Sequence, residues 1–243
     1  MKDKIRVISK TMLGILGKKI GIRNIFNEAG RNVPVTVIEA GPCFVLQVKT
    51  KAKEGYDAIQ IGFSPKREKV TRKPDMGRFK KAGTAPLRFV RELRVNNPAD
   101  YKIGQKISVE IFAKGDYLDV VGTSIGKGFQ GGVRRWGWKG GDTGHGSMFG
   151  RVIGSIQSGA RLGRVTKGHH LPGRMGVDRI TIQNIEVIDV VTDKNLIIVK
   201  GSVPGHKNNY LMLQEAVKRP KGYVKRVAIQ ASTKKSVKAT VKK

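Results

Sequence analysis

The chain has 243 residues and carries 48 lysines and arginines against 18 acidic residues, a formal net charge of +30 at pH 7. A chain this basic repels itself unless a polyanion neutralises it, and the lack of any apolar run of about eighteen residues excludes a membrane-spanning helix. The basic residues are spread along the whole length instead of lying on one face of an amphipathic helix, which favours nucleic acid over a membrane surface as the partner.

The amino end, residues 1–11, is basic and is followed by a short apolar run that Gly14 interrupts. This is not the pattern of a secretory signal, because the apolar run is short and no small-residue cleavage site follows it. Cys43 is the only cysteine, which excludes an internal disulfide and a cysteine-based metal cage. A single cysteine is typical of a protein from a reducing compartment.

Short β-branched or aromatic runs predict strands on both sides of the middle of the chain. The predicted strands are 33–38, 43–48, 58–63, 107–112, 118–121 and 180–187, with 190–191 and 196–200 forming a hairpin about the turn 192–195. Strands before and after one long interruption predict a mainly β protein with a single barrel that an excursion interrupts.

A first interruption, residues 65–98, holds eleven basic residues and three acids. Its prolines and glycines exclude one long helix, and short helical pieces are expected near Phe79 and over 87–93. A basic stretch can be no more than a solvated surface, but the near absence of acids favours contact with phosphates.

A second interruption, residues 122–179, contains seventeen of the 31 glycines, ten basic residues and two acids. It shows no sustained helical or strand period and has few large apolar side chains. Each glycine also adds backbone entropy that ordering must remove. We therefore expect this segment to have no core of its own and to become ordered against a partner.

The motif Gly126-x-Gly128-x-x-Gly131 follows a predicted strand, as a dinucleotide-binding loop does. That fold requires a helix after the last glycine and an acid about twenty residues further on, and the sequence predicts neither. Kinase and P-loop elements are also missing. The three glycines are instead interpreted as places where the backbone comes close to RNA and offers its N–H groups to phosphates.

Three of the four histidines, His145, His169 and His170, lie in the second interruption. A structural zinc site would need a fourth ligand, normally cysteine, and adjacent histidines point to opposite sides of an extended backbone. Contact with RNA phosphate or sugar is favoured over metal. No nucleophile elbow is present, so the sequence predicts no enzyme activity, no cofactor and no metal.

The chemistry that remains is contact with RNA. Arginine neutralises phosphates as a bidentate fork, and aromatic rings stack on unpaired bases. The expected rRNA-binding residues are Lys127, Arg134, Arg135, Trp136, Trp138, Lys139, His145, Arg151, Arg161, Arg164, Lys167, Arg174 and Arg179, with Phe129 and Phe149 as further stacking candidates. The alternative for the two tryptophans is a small satellite core beneath the loop.

The run from Asp119 to Arg135, preceded by Phe112, resembles position for position the signature of the bacterial ribosomal protein L3 family. The resemblance extends over residues 12–217. It includes five further landmarks of that family: Gly14–Gly21, Val33–Glu39, His145–Ser147, Arg174–Gly176 and Val199–Gly205.

The resemblance implies a translation-protein-type β-barrel over 12–121 and 180–217, with an inserted basic subdomain at 65–98 and an rRNA-penetrating extension at 122–179. It also implies a structural protein of the large ribosomal subunit that is not an enzyme, in cytoplasmic ribosomes or, as the alternative, in organellar ones. Such a protein binds rRNA near its 3′ end, nucleates assembly, extends toward the peptidyl-transferase centre and lies beside proteins L14 and L19. The alternative is a free RNA-binding translation or assembly factor.

The chain departs from the family at its ends and in the extension. Residues 1–11 precede the usual start, and the tail 218–243 holds ten basic residues and no acid. That tail is expected to be either a segment that orders on nucleic acid or a solubilising tail. The resemblance also suggests methylation of Gln157, although this glutamine comes one position earlier than the family's modified glutamine.

Overall fold

The computed structural model describes residues 14–26, 30–156 and 163–219, and the twelve strands in these ranges fall into three sheets. The strands are β1 Gly14–Phe26, β2 Asn32–Ala40, β3 Cys43–Lys49, β4 Ala58–Pro65, β5 Leu87–Arg94, β6 Lys106–Ile107, β7 Tyr117–Thr123, β8 Gly128–Gln130, β9 Gly173–Met175, β10 Arg179–Val191, β11 Leu196–Lys200 and β12 Tyr210–Glu215. The helices are α1 Lys51–Glu54, α2 Lys73–Ala82 and α3 Gly132–Trp136, with single 3-10 turns at Glu68–Val70, Pro98–Asp100 and Val109–Ile111. None of the helices in the described ranges has the length and apolar run needed to cross a membrane.

Six strands close into an antiparallel barrel in the order β1, β12, β7, β10, β11, β2. Alternating side chains fill its interior, as in β12, where Leu211 and Leu213 are fully buried and their neighbours are partly exposed. The predicted mainly β fold with a barrel is confirmed. Residues 192–195 form the predicted hairpin turn between β10 and β11.

The strands β5, β4, β3 and β6 form a second, four-stranded sheet in that order. Its apolar residues Val45 and Ile61 belong to the same buried cluster as Ile15 and Leu118 of the barrel, so the sheet packs on the barrel through one continuous core. The strands predicted at 43–48 and 58–63 are therefore present, but they lie in this sheet and not in the barrel. The part of the chain outside the barrel is therefore residues 43–107, which is wider than the insert expected at residues 65–98.

Two local predictions in this region are wrong. Residues 87–93 form strand β5, which pairs with β4 along its whole length, where a helical piece was expected. Only the start of the predicted strand 107–112 is a strand, because a 3-10 turn follows at Val109. This turn places Val109 and Phe112, three residues apart, on one side, and both side chains are buried. The helix expected near Phe79 is present as α2, and Phe79 packs against Leu46 and Leu87.

Cys43 is fully buried, and its thiol donates to the carbonyl oxygen of Leu16 at 3.4 Å. Burial raises the pKa of the Cys43 thiol from 9.0 to about 12. We expect this thiol to resist iodoacetamide at pH 8 in the folded protein and to react once the protein is unfolded.

The same shift has a consequence for stability. Between about pH 9 and pH 12 the unfolded state has lost the thiol proton that the folded state keeps, so stability falls as the pH rises, by about 1.4 kcal/mol per unit. Urea titrations of wild type and Cys43→Ala across this range measure the difference. If the free energy of unfolding fell equally steeply with pH in both proteins, the raised pKa of Cys43 would not be the cause of the alkaline loss of stability.

Candidate nucleic-acid interface

The second interruption leaves the barrel at the end of β7 and returns at the start of β10. Thr123 pairs with Arg179, and the Ser124 N–H donates to the Asp178 carbonyl at 2.9 Å. Further out, the Lys127 N–H donates to Met175 at 2.9 Å, and β8 pairs with β9. The root of the extension is therefore an antiparallel ladder that continues two barrel strands outward.

The three motif glycines have different surroundings. A Cβ on Gly126 would lie 2.9 Å from the Val177 side chain, so the returning chain of the extension itself requires this glycine. Gly128 has a φ of +69°, a conformation that other residues rarely adopt. Gly131 has open space around its Cβ position. Open space therefore surrounds the Cβ positions of Gly128 and Gly131, whereas the Cβ position of Gly126 faces Val177.

A five-residue helix, α3, begins directly after Gly131, although the sequence predicted no helix there. Gly132 at its start is buried against the ring of Trp138, where a Cβ would overlap the ring atoms. This close packing of a ring on a glycine is what the pattern of glycines and polar residues did not reveal. The helix is a single turn, far shorter than the one that opens a dinucleotide fold.

The aromatic side chains join the two halves of the extension. Trp136 stacks on His170 at 4.1 Å with an interplanar angle of 5°, and its indole N–H donates to the Leu171 carbonyl at 2.9 Å. Arg135 donates to the same carbonyl at 2.8 Å and lies 4.9 Å from the Trp136 ring. Trp136, Trp138 and Arg135 thus have contacts within the extension, but Trp136 is 42% exposed, so these contacts do not amount to a buried satellite core.

The remaining expected RNA-binding residues in the described ranges are exposed and make no salt bridge there. They are Lys127, Arg134, Lys139, His145, Arg151, Arg164, Lys167, Arg174 and Arg179. Arg134 has one long hydrogen bond, 3.4 Å to the Gln130 side chain. Arg161 and Gln157 lie outside the described residues.

No hydrophobic side chain is buried in the described residues between Val121 and Ile185. Phe129 is 76% exposed and Met148 is 96% exposed. An open hollow of about 510 Å³ is lined by Trp138, Phe149, His169 and His170 together with smaller residues. The described part of the extension therefore has no core, as expected, and presents cations and apolar rings to its surroundings.

The described ranges contain no group of three or more His, Cys, Asp or Glu side chains that could hold a metal ion. His169 and His170 both line the hollow, and the His170 ring is in addition stacked on Trp136. His145 is exposed, with a φ of +54°.

Sequence reasoning missed Lys19, which holds the barrel end beside the extension. Its ammonium is buried and donates to the carbonyl oxygens of Val203 at 2.9 Å and Gly205 at 2.8 Å. Burial lowers the pKa of this ammonium from its ordinary value. Asn209, in the same loop, donates to the Thr123 carbonyl at 2.9 Å, so the loop ties β1 to the root of the extension. The adjacent Lys18 and Lys19 in a strand gave no sign that one of them was buried.

Comparison with known proteins gives consistent matches along the chain. Residues 90–195 match the family described as ribosomal protein L3. The chain is 51% identical over 213 residues to the large ribosomal subunit protein uL3 of Desulfitobacterium hafniense, an alignment covering 87% of this chain and 98% of that protein. It is 50% identical to uL3 of Pelotomaculum thermopropionicum, covering 84% and 97%, and 48% identical to uL3 of Geotalea daltonii, covering 86% and 99%.

Proposed function

Because the chain belongs to the ribosomal protein L3 family, we propose that it is a structural constituent of the large ribosomal subunit that binds rRNA directly. The similarity to relatives named as large-subunit proteins over nearly their whole length supports this assignment. The proposed role is one of contact and assembly, without catalysis.

The observation that carries the proposal is the chemistry of the extension, residues 122–179. Its described cations other than Arg135 are exposed without carboxylate partners, and its described residues bury no hydrophobic side chain. RNA supplies what this segment lacks, because phosphates neutralise the cations and bases cover the exposed rings. The extension then becomes fixed as the RNA packs around it.

We further propose a division of labour along the chain. Residues 12–121 and 180–217, which include the barrel and the second sheet, anchor the protein at the subunit surface, and the extension reaches toward the peptidyl-transferase centre. We also propose binding near the 3′ end of the rRNA early in assembly, beside proteins L14 and L19, as the resemblance to the family implies. The basic segments 1–11 and 218–243 add charge at the two ends.

Arg134 and Arg164 provide a direct test, since both are exposed and neither has a carboxylate partner in the described ranges. Replacing both with glutamine should make binding less sensitive to salt. The magnitude of the slope of log affinity against log salt should fall by about 1.4 to 1.8, because each lost phosphate contact contributes about 0.7 to 0.9. Filter binding of the full chain to a 3′ fragment of large-subunit rRNA at several salt concentrations measures this slope.

Arg78→Gln is the matched control, because the Arg78 guanidinium is already paired with Asp75 at 2.9 Å. We expect it to change the slope by less than the double variant does. Arg135→Gln should weaken binding through lost packing on Leu171 and Trp136, with a smaller change in slope. An unchanged slope in the double variant would show that Arg134 and Arg164 do not contact phosphates.

A further inference from the structure

A cleft of about 470 Å³ lies where the second sheet meets the barrel, away from the tip of the extension. Strand β5 contributes Phe89, Arg91 and Glu92 to its lining. The barrel contributes the end of β7, the start of β10 with Arg179, and the start of β12 with Tyr210. A volume in this range is typical of sites that hold a small ligand or one nucleotide.

One wall of the cleft is a column of stacked groups. The Arg91 guanidinium lies 4.6 Å from the centre of the Phe89 ring, and Phe89 stacks on Tyr210 at 4.8 Å with an interplanar angle of 12°. Tyr210 is held in turn by an edge contact with Phe63 at 6.3 Å and a hydrogen bond to Ser64 at 3.4 Å. The column spans the two sheets, so Arg91 is positioned before any ligand arrives and loses little side-chain entropy on binding.

The charges around the cleft are unbalanced. Glu92 is the only acid in the lining, and its carboxylate accepts hydrogen bonds from Lys49 at 2.6 Å and Tyr56 at 2.8 Å. The hydrogen bond from Lys49 lowers the pKa of Glu92, so this carboxylate stays ionised and bound to Lys49. The described ranges show no salt bridge for Arg91 or Arg179, and Arg91 donates only to the Val90 carbonyl, at 2.9 Å. Two guanidinium groups therefore line the cleft without a carboxylate of their own.

We infer that this cleft binds one nucleotide of large-subunit rRNA, with the phosphate held by Arg91 and Arg179 and the base stacked on the Arg91 plane. The inference rests on the proposed function and adds a second contact site to it, outside the extension tip. Guanidinium planes stack on unpaired bases, and their fork geometry matches phosphate oxygens.

RNA is favoured over an acidic protein segment because the cleft is continuous with the root of the extension. Thr123 and Arg179, which pair where the extension begins, also line the cleft. A strand of RNA that follows the extension therefore passes this cleft as it reaches the barrel. A nucleotide bound here would fix the second sheet and the barrel on the same RNA.

The test uses the full chain and the 3′ fragment of large-subunit rRNA. Arg91→Gln should weaken binding on the order of tenfold and lower the salt slope by about 0.7 to 0.9, because one phosphate contact and one stacked base are lost. Arg91→Lys should restore most of the slope but not the affinity, since lysine keeps the charge and lacks the planar fork. Phe89→Leu should weaken binding with little change in slope.

Arg88→Gln is the matched control, since Arg88 is an exposed arginine on the same strand that does not line the cleft. Wild-type affinity and slope in both Arg91→Gln and Arg88→Gln, with Arg134 and Arg164 still required, would overturn the cleft and leave the proposed function intact. Failure of the wild-type chain itself to bind would instead contradict the proposed function. If Arg91→Gln abolished only a cross-link to a neighbouring protein in assembled subunits, the cleft would be a protein site and the inference wrong. Thermal melts identify any variant that fails to fold. If Arg91→Gln fails to fold, the affinity and salt slope of Arg91→Lys decide whether the cleft binds a nucleotide.

Discussion

Replacing residues 124–178 with a two-residue Asn-Gly turn is expected to leave the barrel folded while removing most of the affinity for rRNA. Thr123 and Arg179 are directly paired in antiparallel strands, so a tight hairpin turn can join them without changing the register. No hydrophobic side chain is buried in the described residues of the removed segment. The melting temperature should therefore change by only a few degrees.

The effect on RNA binding should be large because the removed segment contains nine lysines and arginines. If about six of them contact phosphates, the salt slope falls by about 4 to 5 and the affinity at moderate salt by at least about 10³-fold. A full-length variant with these nine residues changed to glutamine separates the loss of charge from the loss of length.

The measurements are a thermal melt by circular dichroism and a salt titration of binding to the 3′ rRNA fragment. Cooperative unfolding near the wild-type temperature, together with the loss of affinity, is the expected pair of results. A barrel that fails to fold without the segment, or an affinity within tenfold of wild type, would contradict the role assigned to the extension.

Asp119→Ala is expected to cause the largest loss of stability among the single substitutions considered. Asp119 is 4% exposed, and its carboxylate accepts the Asn184 N–H at 2.9 Å and the Val217 N–H at 3.2 Å. Asn184 lies at the register shift between β10 and β7 with a φ of +58°, and Val217 follows β12. One buried side chain therefore connects three barrel segments where the strand ladder is irregular.

Removing this carboxylate leaves two N–H groups without their acceptor. Each such bond to a charged group contributes about 1.5 kcal/mol or more, so the free energy of unfolding should fall by about 3 kcal/mol and the melting temperature by about 10 °C. The free energy of unfolding of Asp119→Asn should lie between those of the wild type and Asp119→Ala, because the amide carbonyl oxygen can accept one of the two hydrogen bonds. A loss below about 1 kcal/mol for Asp119→Ala in urea unfolding would show that water or backbone rearrangement replaces the carboxylate.

The strands were predictable where burial on one face imposes a period of two. The runs 33–38, 43–48, 58–63 and 180–187 lie in strands of the structure. Their assignment to sheets was not predictable, because an alternating strand fits a barrel wall and a packed sheet equally well. Strand β5 was misread because its arginine-rich sequence, with Leu87 and Leu93 buried, is also compatible with a short helix.

The character of the extension followed from composition, because many glycines and few large apolar residues cannot make a core. Its internal contacts did not follow, since the stacking of Trp136 on His170 joins residues far apart in the sequence. Lys19 and Asp119 were missed for a related reason. A buried charge is recognised by its partners, and those partners are backbone groups brought close only by the closed barrel.

We propose that the chain is a built-in component of the large ribosomal subunit. Ribosomes purified from the source cells, washed in high salt and separated on a sucrose gradient test it most directly, with the chain followed by mass spectrometry. We expect the chain to stay with the large subunit at about one copy per particle. Recovery of the chain in the soluble wash, as for a free RNA-binding translation or assembly factor, would contradict it.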